Sequence, residues 1–227
     1  RSSAASDVYK RQELHYAPMS ETTPSPKTPA VAVFDPFAGA DPAVAALRDA
    51  LRAAGAHAEI TSDPAQAVAA DGLVVAASGD AAEALRALRK AQVDRVVGQR
   101  LAGSRPVLVV GAAMDALFER GADGAAGFGE WPGGVDKLAA PVERAEVAPA
   151  ADSLMLDRAQ EFEFNAATGA RDFELKEDEF IAYPKLSWAG EVLAAVENGP
   201  LWATRFHPET SGSAGAGVLR NWIPQLG

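Results

Sequence analysis

Apolar residues in this chain fall into short unbroken runs, separated by longer stretches whose apolar positions recur with helical spacing. The run Ala30-Val-Ala-Val-Phe34 predicts a strand that stops at Asp35-Pro36. Asp41 and Pro42 then supply an N-cap and a first-turn proline. Val44, Leu47, Leu51 and Ala54 share one helical face until Gly55 ends the pattern. A strand near 57–60 follows, then a capped turn at Ser62-Asp63-Pro64 and an all-apolar strand at 72–76. Helical patterns through Glu83, Leu85 and Leu88 and through 93–100 lead to the strongest strand signal, 105–111, and to an expected helix over 112–120. Short apolar strands alternating with helices of 10 or more residues predict an α/β fold: a doubly wound, mostly parallel sheet covered by helices on both faces.

Past the turn-rich stretch 121–134 the pattern changes. Segments near 142–147, 153–156, 161–164 and 173–175 are short and bounded by turn residues, which suits antiparallel hairpins. Strands at 192–196 and 201–206 flank Glu197-Asn-Gly-Pro200, and a last helix is expected from about Ala214 to Trp222. The run 174–179 holds five acids around one lysine and reads as a solvated loop or edge. Residues 1–29 lack patterned apolar positions and read as a disordered leader. Within it, 1–18 resembles translated adaptor sequence, so Met19 is the expected start. Residues 30–227 are expected to form a single domain.

Composition narrows the function more than the fold. The 227 residues carry a formal net charge of −10, which argues against nucleic-acid and anionic-membrane partners. No window offers the ~20 apolar residues of a membrane span and no signal peptide opens the chain, so a cytoplasmic location is expected. No cysteine is present. That excludes disulfides, thiolate metal sites and a cysteine nucleophile together. The three histidines are not spaced as a metal site, and no cofactor is called for.

Ligands of open parallel sheets collect at the carboxyl ends of the strands, and three such ends carry candidate chemistry. The strand 107–111 breaks directly into a helix, the geometry of a nucleophile elbow, but the elbow position is Gly111. Glycine accepts the positive φ of such a turn and supplies no nucleophile. Arg205-Phe-His207-Pro-Glu209 follows a strand; a histidine oriented by a carboxylate can act as a general base, and a structural histidine is the alternative. Ala77-Ser78-Gly79 ends the third strand, where backbone N–H groups either approach a ligand or make a plain tight turn. Ser211-Gly-Ser-Ala-Gly215 reads either as an anion site or as a flexible helix cap.

Strand, elbow, helix and a late strand ending in His-Pro-Glu is a layout that resembles the class I glutamine amidotransferases, a flavodoxin-like fold. Within them the chain is similar to the glutaminase subunit of imidazole glycerol phosphate synthase in its actinobacterial form. The likeness rests on Asp71-Gly-Leu-Val-Val75, Leu101-Ala-Gly-Ser-Arg-Pro-Val-Leu108, Met114-Asp-Ala-Leu-Phe-Glu-Arg-Gly121, Gly127-Phe-Gly-Glu-Trp-Pro-Gly133 and Leu138-Ala-Ala-Pro-Val142. Most specific is the block from Ala194 to Gly212, which contains Thr204-Arg-Phe-His-Pro-Glu209.

The resemblance implies a glutaminase that passes ammonia to a partner cyclase, a β/α barrel. In that family a cysteine attacks the amide of glutamine, a His-Glu pair activates it, and an oxyanion strand stabilises the intermediate. His207 and Glu209 match the base and its orienter, and Gly111 stands at the nucleophile position. The oxyanion strand reads Ala76-Ala-Ser-Gly79, and the glutamine-contacting Gln one turn past the nucleophile is Asp115. Ala77, Ser78, Gly79 and Asp115 are therefore a degenerate substrate-binding set. A family His-Ser-Tyr segment has become Ala166-Ala-Thr168. Three readings follow. One is an active glutaminase using another oxygen nucleophile; another is a pseudo-glutaminase that docks a partner. The third is a small-molecule-binding module lined by Asp115 and Ser78, whose carboxylate would attract an amine.

Overall fold

A computed structural model of the protein describes residues 28–173 and 183–226. The expected leader, apart from Thr28 and Pro29, and the acidic run 174–179 lie outside the described residues. The first strand, β1 (Ala30–Phe34), leads to α1 (Pro42–Ala53), β2 (His57–Thr61), α2 (Pro64–Ala69) and β3 (Gly72–Ala77). Next come α3 (Ala81–Lys90), α4 (Val93–Ala102), β4 (Val107–Gly111), α5 (Ala112–Asp115) and β5 (Phe118–Arg120). The second half holds β6 (Trp131–Gly134), β7 (Asp136–Val147), β8 (Gln160–Gly169), β9 (Lys185–Ala189), β10 (Val192–Asn198), β11 (Leu201–Thr204) and α6 (Gly212–Trp222).

Seven strands form one sheet in the order β2-β1-β3-β4-β11-β10-β9. The first five run parallel; β10 and β9 add antiparallel neighbours at one edge. The strands β3 and β4 are buried along their whole length, as their unbroken apolar runs require. One face packs on α1 and α6 through Leu47, Leu51, Val218 and Trp222. The other packs on α3 and α4 through Leu85, Leu88, Val93 and Val97. Helices thus cover both faces of a mostly parallel sheet. Among the described residues no helix is long and apolar enough to cross a membrane.

Three sequence expectations change. The turn at Ser62-Asp63-Pro64 opens a short helix, α2, with Asp63 as its N-cap, and Arg100 closes the other end of that helix from below. The helix expected over 112–120 stops at Asp115. Leu117 and Phe118, just beyond it, are both fully buried. Instead Phe118 pairs with Trp131 in parallel strands, and their rings pack edge-on at 5.5 Å with Phe173 against both. The segment near 153–156 is a turn and not a strand, held by Ser153 and Leu154 on the carboxylate of Glu197. Antiparallel pairing in the second half holds, with β7 and β8 forming a long hairpin outside the main sheet.

Arg100 is the largest polar side chain in the lower core. Its guanidinium donates to the backbone carbonyls of Ala67, Val68, Ala70, Asp71 and Pro106 at 2.8 to 3.1 Å. It joins the carboxyl end of α2 to the amino ends of β3 and β4. Burial lowers its pKa to about 10, Arg105 adds to that and Asp71 opposes it, so the group stays charged at neutral pH.

Candidate functional site

The carboxyl ends of β3, β4 and β11 meet at one edge of the sheet. Position 111 pairs with Ala77 across β3 and β4, at the last rung of the ladder. Its backbone has φ 69° and ψ −137°, a conformation open to glycine and strained for any other residue. A Cβ built there would lie 2.4 Å from the carbonyl oxygen of Ala77 and 2.5 and 2.9 Å from Cε1 and Nε2 of His207. The elbow therefore has neither a side chain nor room for one. The histidine ring stands against the space a nucleophile would need.

His207 follows β11 and precedes a 3-10 turn over Pro208–Thr210. Its backbone is fixed by its N–H on the carbonyl of Glu163 at 2.7 Å and by the Ser211 hydroxyl donating to its carbonyl at 2.7 Å. The same Ser211 oxygen accepts from the Glu163 N–H, and Phe206 stacks on Phe162 with ring centroids 4.1 Å apart. Strand β8 and the start of α6 thus hold the histidine from two sides. Nδ1 lies 2.8 Å from Oε1 of Glu209, whose side chain is almost wholly buried. A proton on Nδ1 would be donated to that carboxylate and would leave Nε2 as an acceptor. The structure thus brings His207 and Glu209 into contact.

Ala77, Ser78 and Gly79 lie at the end of β3, beside the elbow. Ser78 is gripped by a residue the sequence marks only as a helix cap. Its N–H donates to Oδ2 of Asp41 and its hydroxyl to Oδ1, both at 2.7 Å, while Ala43 N–H also donates to Oδ1. One carboxylate caps α1 and clasps the β3 loop. An N–H already committed to a carboxylate gives little to a developing oxyanion, because stabilisation needs a free, pre-aimed donor. Gly79 has φ 78°, and a Cβ built on it would meet open space.

Asp115 stands apart from these residues. It is 3% exposed, with Oδ1 3.1 Å from Nε of Arg205 and Oδ2 accepting from the Thr168 hydroxyl at 2.6 Å. Arg205 Nη2 donates to the same hydroxyl at 3.3 Å, which closes a buried ring of three side chains. Burial raises the Asp115 carboxyl above its ordinary range, while Arg205 and Thr168 pull it back. Neither cavity at this edge is lined by Asp115. A cavity of about 210 Å³ lies beside His207 and is walled by Pro42, Ala43, Ala46, Ser78, Asn165, Glu209 and Thr210. A second, of about 330 Å³, opens on the other side of the Asp41–Ser78 clasp next to Phe37 and Glu83. Asp41, Arg205, Thr168 and Asn165 are the site residues that sequence reasoning missed. Arg205, two places before the histidine, and Thr168, in the altered His-Ser-Tyr segment, sat within motifs that could have flagged them.

No group of three or more acidic, histidine or cysteine side chains is placed to hold a metal among the described residues. What the edge offers is a His207–Glu209 pair, a Gly111 with no side chain beside it and a Ser78 clasped by Asp41. No protein-family model matches the chain. It is 46% identical over 190 residues to imidazole glycerol phosphate synthase subunit HisH of Nocardia farcinica, covering 78% of this chain and 90% of that protein. To the HisH subunit of Thermobifida fusca it is 45% identical over 197 residues, covering 79% and 93%. Among solved structures, a glutamine amidotransferase superposes with a TM-score of 0.66 at 16% identity, covering 86% of this chain and 98% of that one. The glutaminase domain of Trypanosoma brucei CTPS gives 0.58 at 12% identity, covering 88% and 94%. At those identities the structures show the fold alone.

Proposed function

Because the chain belongs to the family of imidazole glycerol phosphate synthase HisH subunits, we propose that it keeps the scaffold and docking role of that subunit without glutaminase chemistry of its own. The observation that carries this is position 111. Covalent attack on an amide needs a nucleophile within reach of the general base, and Gly111 has no side chain and no space for a Cβ between Ala77 and His207. Ser78, the nearest hydroxyl in the loop, is bound to Asp41. The backbone donor of the same residue is bound there too. His207 and Glu209 remain as a base and its orienter with nothing to deprotonate at the elbow.

Relatives named as subunits of a synthase imply a second subunit, and the partner this reading assigns is the cyclase, a β/α barrel. The fold-bearing sequence matches those relatives over nearly their full length, which supports a retained docking role. A glutamine hydrolysis assay on the purified chain, with and without the cyclase, tests the chemistry. No turnover above buffer is expected, and any turnover that tracks the protein overturns the reading. Co-purification with the cyclase tests the docking role; its absence at micromolar concentrations counts against it. A second reading, a small-molecule-binding module on the same fold, is favoured by the cavity beside His207.

A further inference from the structure

Strand β8 carries one residue more than its partner needs. Between the pairs Val142–Ala166 and Arg144–Glu163, Phe164 and Asn165 of β8 stand opposite Glu143 alone, a β-bulge. Asn165 has φ 48°, in the left-handed region that non-glycine residues seldom occupy and that asparagine tolerates best. Ala38, Gln92, Ser104 and Asp152 also have positive φ, but they lie in turns, whereas Asn165 lies within a strand. Bulges next to functional sites re-aim a side chain, and backbone strain of this kind collects where a ligand is held. Asn165 lines the cavity of about 210 Å³ beside His207. No described residue hydrogen-bonds its side-chain amide, so a donor and an acceptor stand open there together.

The rest of the lining sets the charge and shape of what fits. Ser78 and Thr210 carry hydroxyls whose protons are committed, to Asp41 and to the His207 carbonyl. The Glu209 side chain is 1% exposed with one oxygen on His207, so its carboxylate does not face the cavity. Pro42, Ala43 and Ala46 make an apolar wall along α1. No lining side chain presents an unpaired charge, and an ammonium or carboxylate would lose its water without gaining a partner. An amide side chain makes two antiparallel hydrogen bonds with a second amide whose N–H and C=O lie on the same side, as they do within a small ring. We propose that the cavity binds a small uncharged lactam or cyclic imide, its cis-amide edge on the Asn165 side chain and its ring methylenes on Pro42, Ala43 and Ala46. This site rests on the second reading above, a small-molecule-binding module.

The test uses the full chain with 2-pyrrolidone, N-methyl-2-pyrrolidone, propylammonium chloride, sodium propionate and L-glutamine as separate arms at equal ionic strength, read by thermal unfolding and isothermal titration. Saturable, millimolar stabilisation by 2-pyrrolidone is expected. N-methyl-2-pyrrolidone keeps the ring and loses the N–H, and should bind at least about tenfold more weakly. Asn165→Gly suits the positive φ, so it should fold and lose at least about tenfold in affinity for 2-pyrrolidone. Should it fail to fold, Asn165→Asp tolerates the same backbone, replaces the amide donor by an acceptor and should show the same loss. The proposal is overturned if 2-pyrrolidone does not bind, if the methylated ring binds as well, or if binding survives either substitution. Saturable binding of propionate, propylammonium or glutamine in place of 2-pyrrolidone removes the amide-edge site and leaves the small-molecule reading standing. No saturable response in any arm removes both.

Discussion

At the amino ends of β3 and β4, Arg100 is held by five backbone carbonyls; at the carboxyl ends, Arg205 is held by two side chains, Asp115 and Thr168. Both guanidinium groups are buried. They differ in what would be stranded by their loss. Main-chain carbonyls cannot be mutated away, so every sequence with this backbone must answer the same acceptors below the sheet. Above it, the partners are side chains, and the set can be exchanged together. The lower end behaves as scaffold, whereas the upper end, where ligands of such sheets bind, is free to be rewritten. Position 111 and the Asp41–Ser78 clasp lie at that rewritable end.

The sharpest way to break this contrast is Arg100→Met. It leaves five carbonyls short of a donor and is expected to lower stability by about 3–5 kcal/mol, read by urea or guanidinium unfolding. A loss below about 1 kcal/mol would remove the distinction between the two ends. Next in size is Asp115→Asn, which leaves Arg205 without its counter-charge and is expected to cost about 3 kcal/mol. The double variant Asp115→Leu/Arg205→Met is expected to return to within about 1 kcal/mol of the parent. That recovery has no counterpart for Arg100.

Asp115 also predicts a pH effect. Burial raises its carboxyl in the folded state, so folding takes up a proton in the window above the unfolded value of about 3.9. More protons bound in the folded state mean that this group's share of stability is greatest at the acid side and declines as pH rises through the window. Subtracting the Asp115→Asn profile from that of the parent isolates the slope; a difference that rises with pH would refute it. The smallest effect is expected from Gly111→Ala. Its Cβ meets the Ala77 carbonyl and the His207 ring, and its φ is positive, which together should cost about 2 kcal/mol. A neutral or stabilising result would show that the elbow has room after all. Gly111→Cys is expected to suffer the same strain and to give no glutaminase activity in the assay described above.

Much of this was legible from the chain because it is local. The strands β1, β3 and β4 are unbroken apolar runs, α1 and α2 carry Asp-Pro at their starts, and His207 meets Glu209 two residues away. What escaped is long-range. Asp41 meets Ser78 across 37 positions and Asp115 meets Thr168 across 53, and no period or motif ties such pairs together. The helix expected over 112–120 failed for a related reason. Its spacing is helical, but Phe118 is drawn into a strand by Trp131 and Phe173, partners that lie 13 and 55 residues further along.

The place of β11 in the sheet bears on how the chain emerges from a ribosome. It lies beside β4, yet Leu201 comes 90 positions after Gly111. Until that late segment is synthesised, the edge of the most apolar strand has no partner and the His-Pro-Glu turn does not exist. Non-local pairing of this kind slows folding and leaves an open strand edge that other nascent chains can join. The upper end of the molecule is thus the last to form as well as the freest to change, and the half-made protein would be the species most in need of a chaperone.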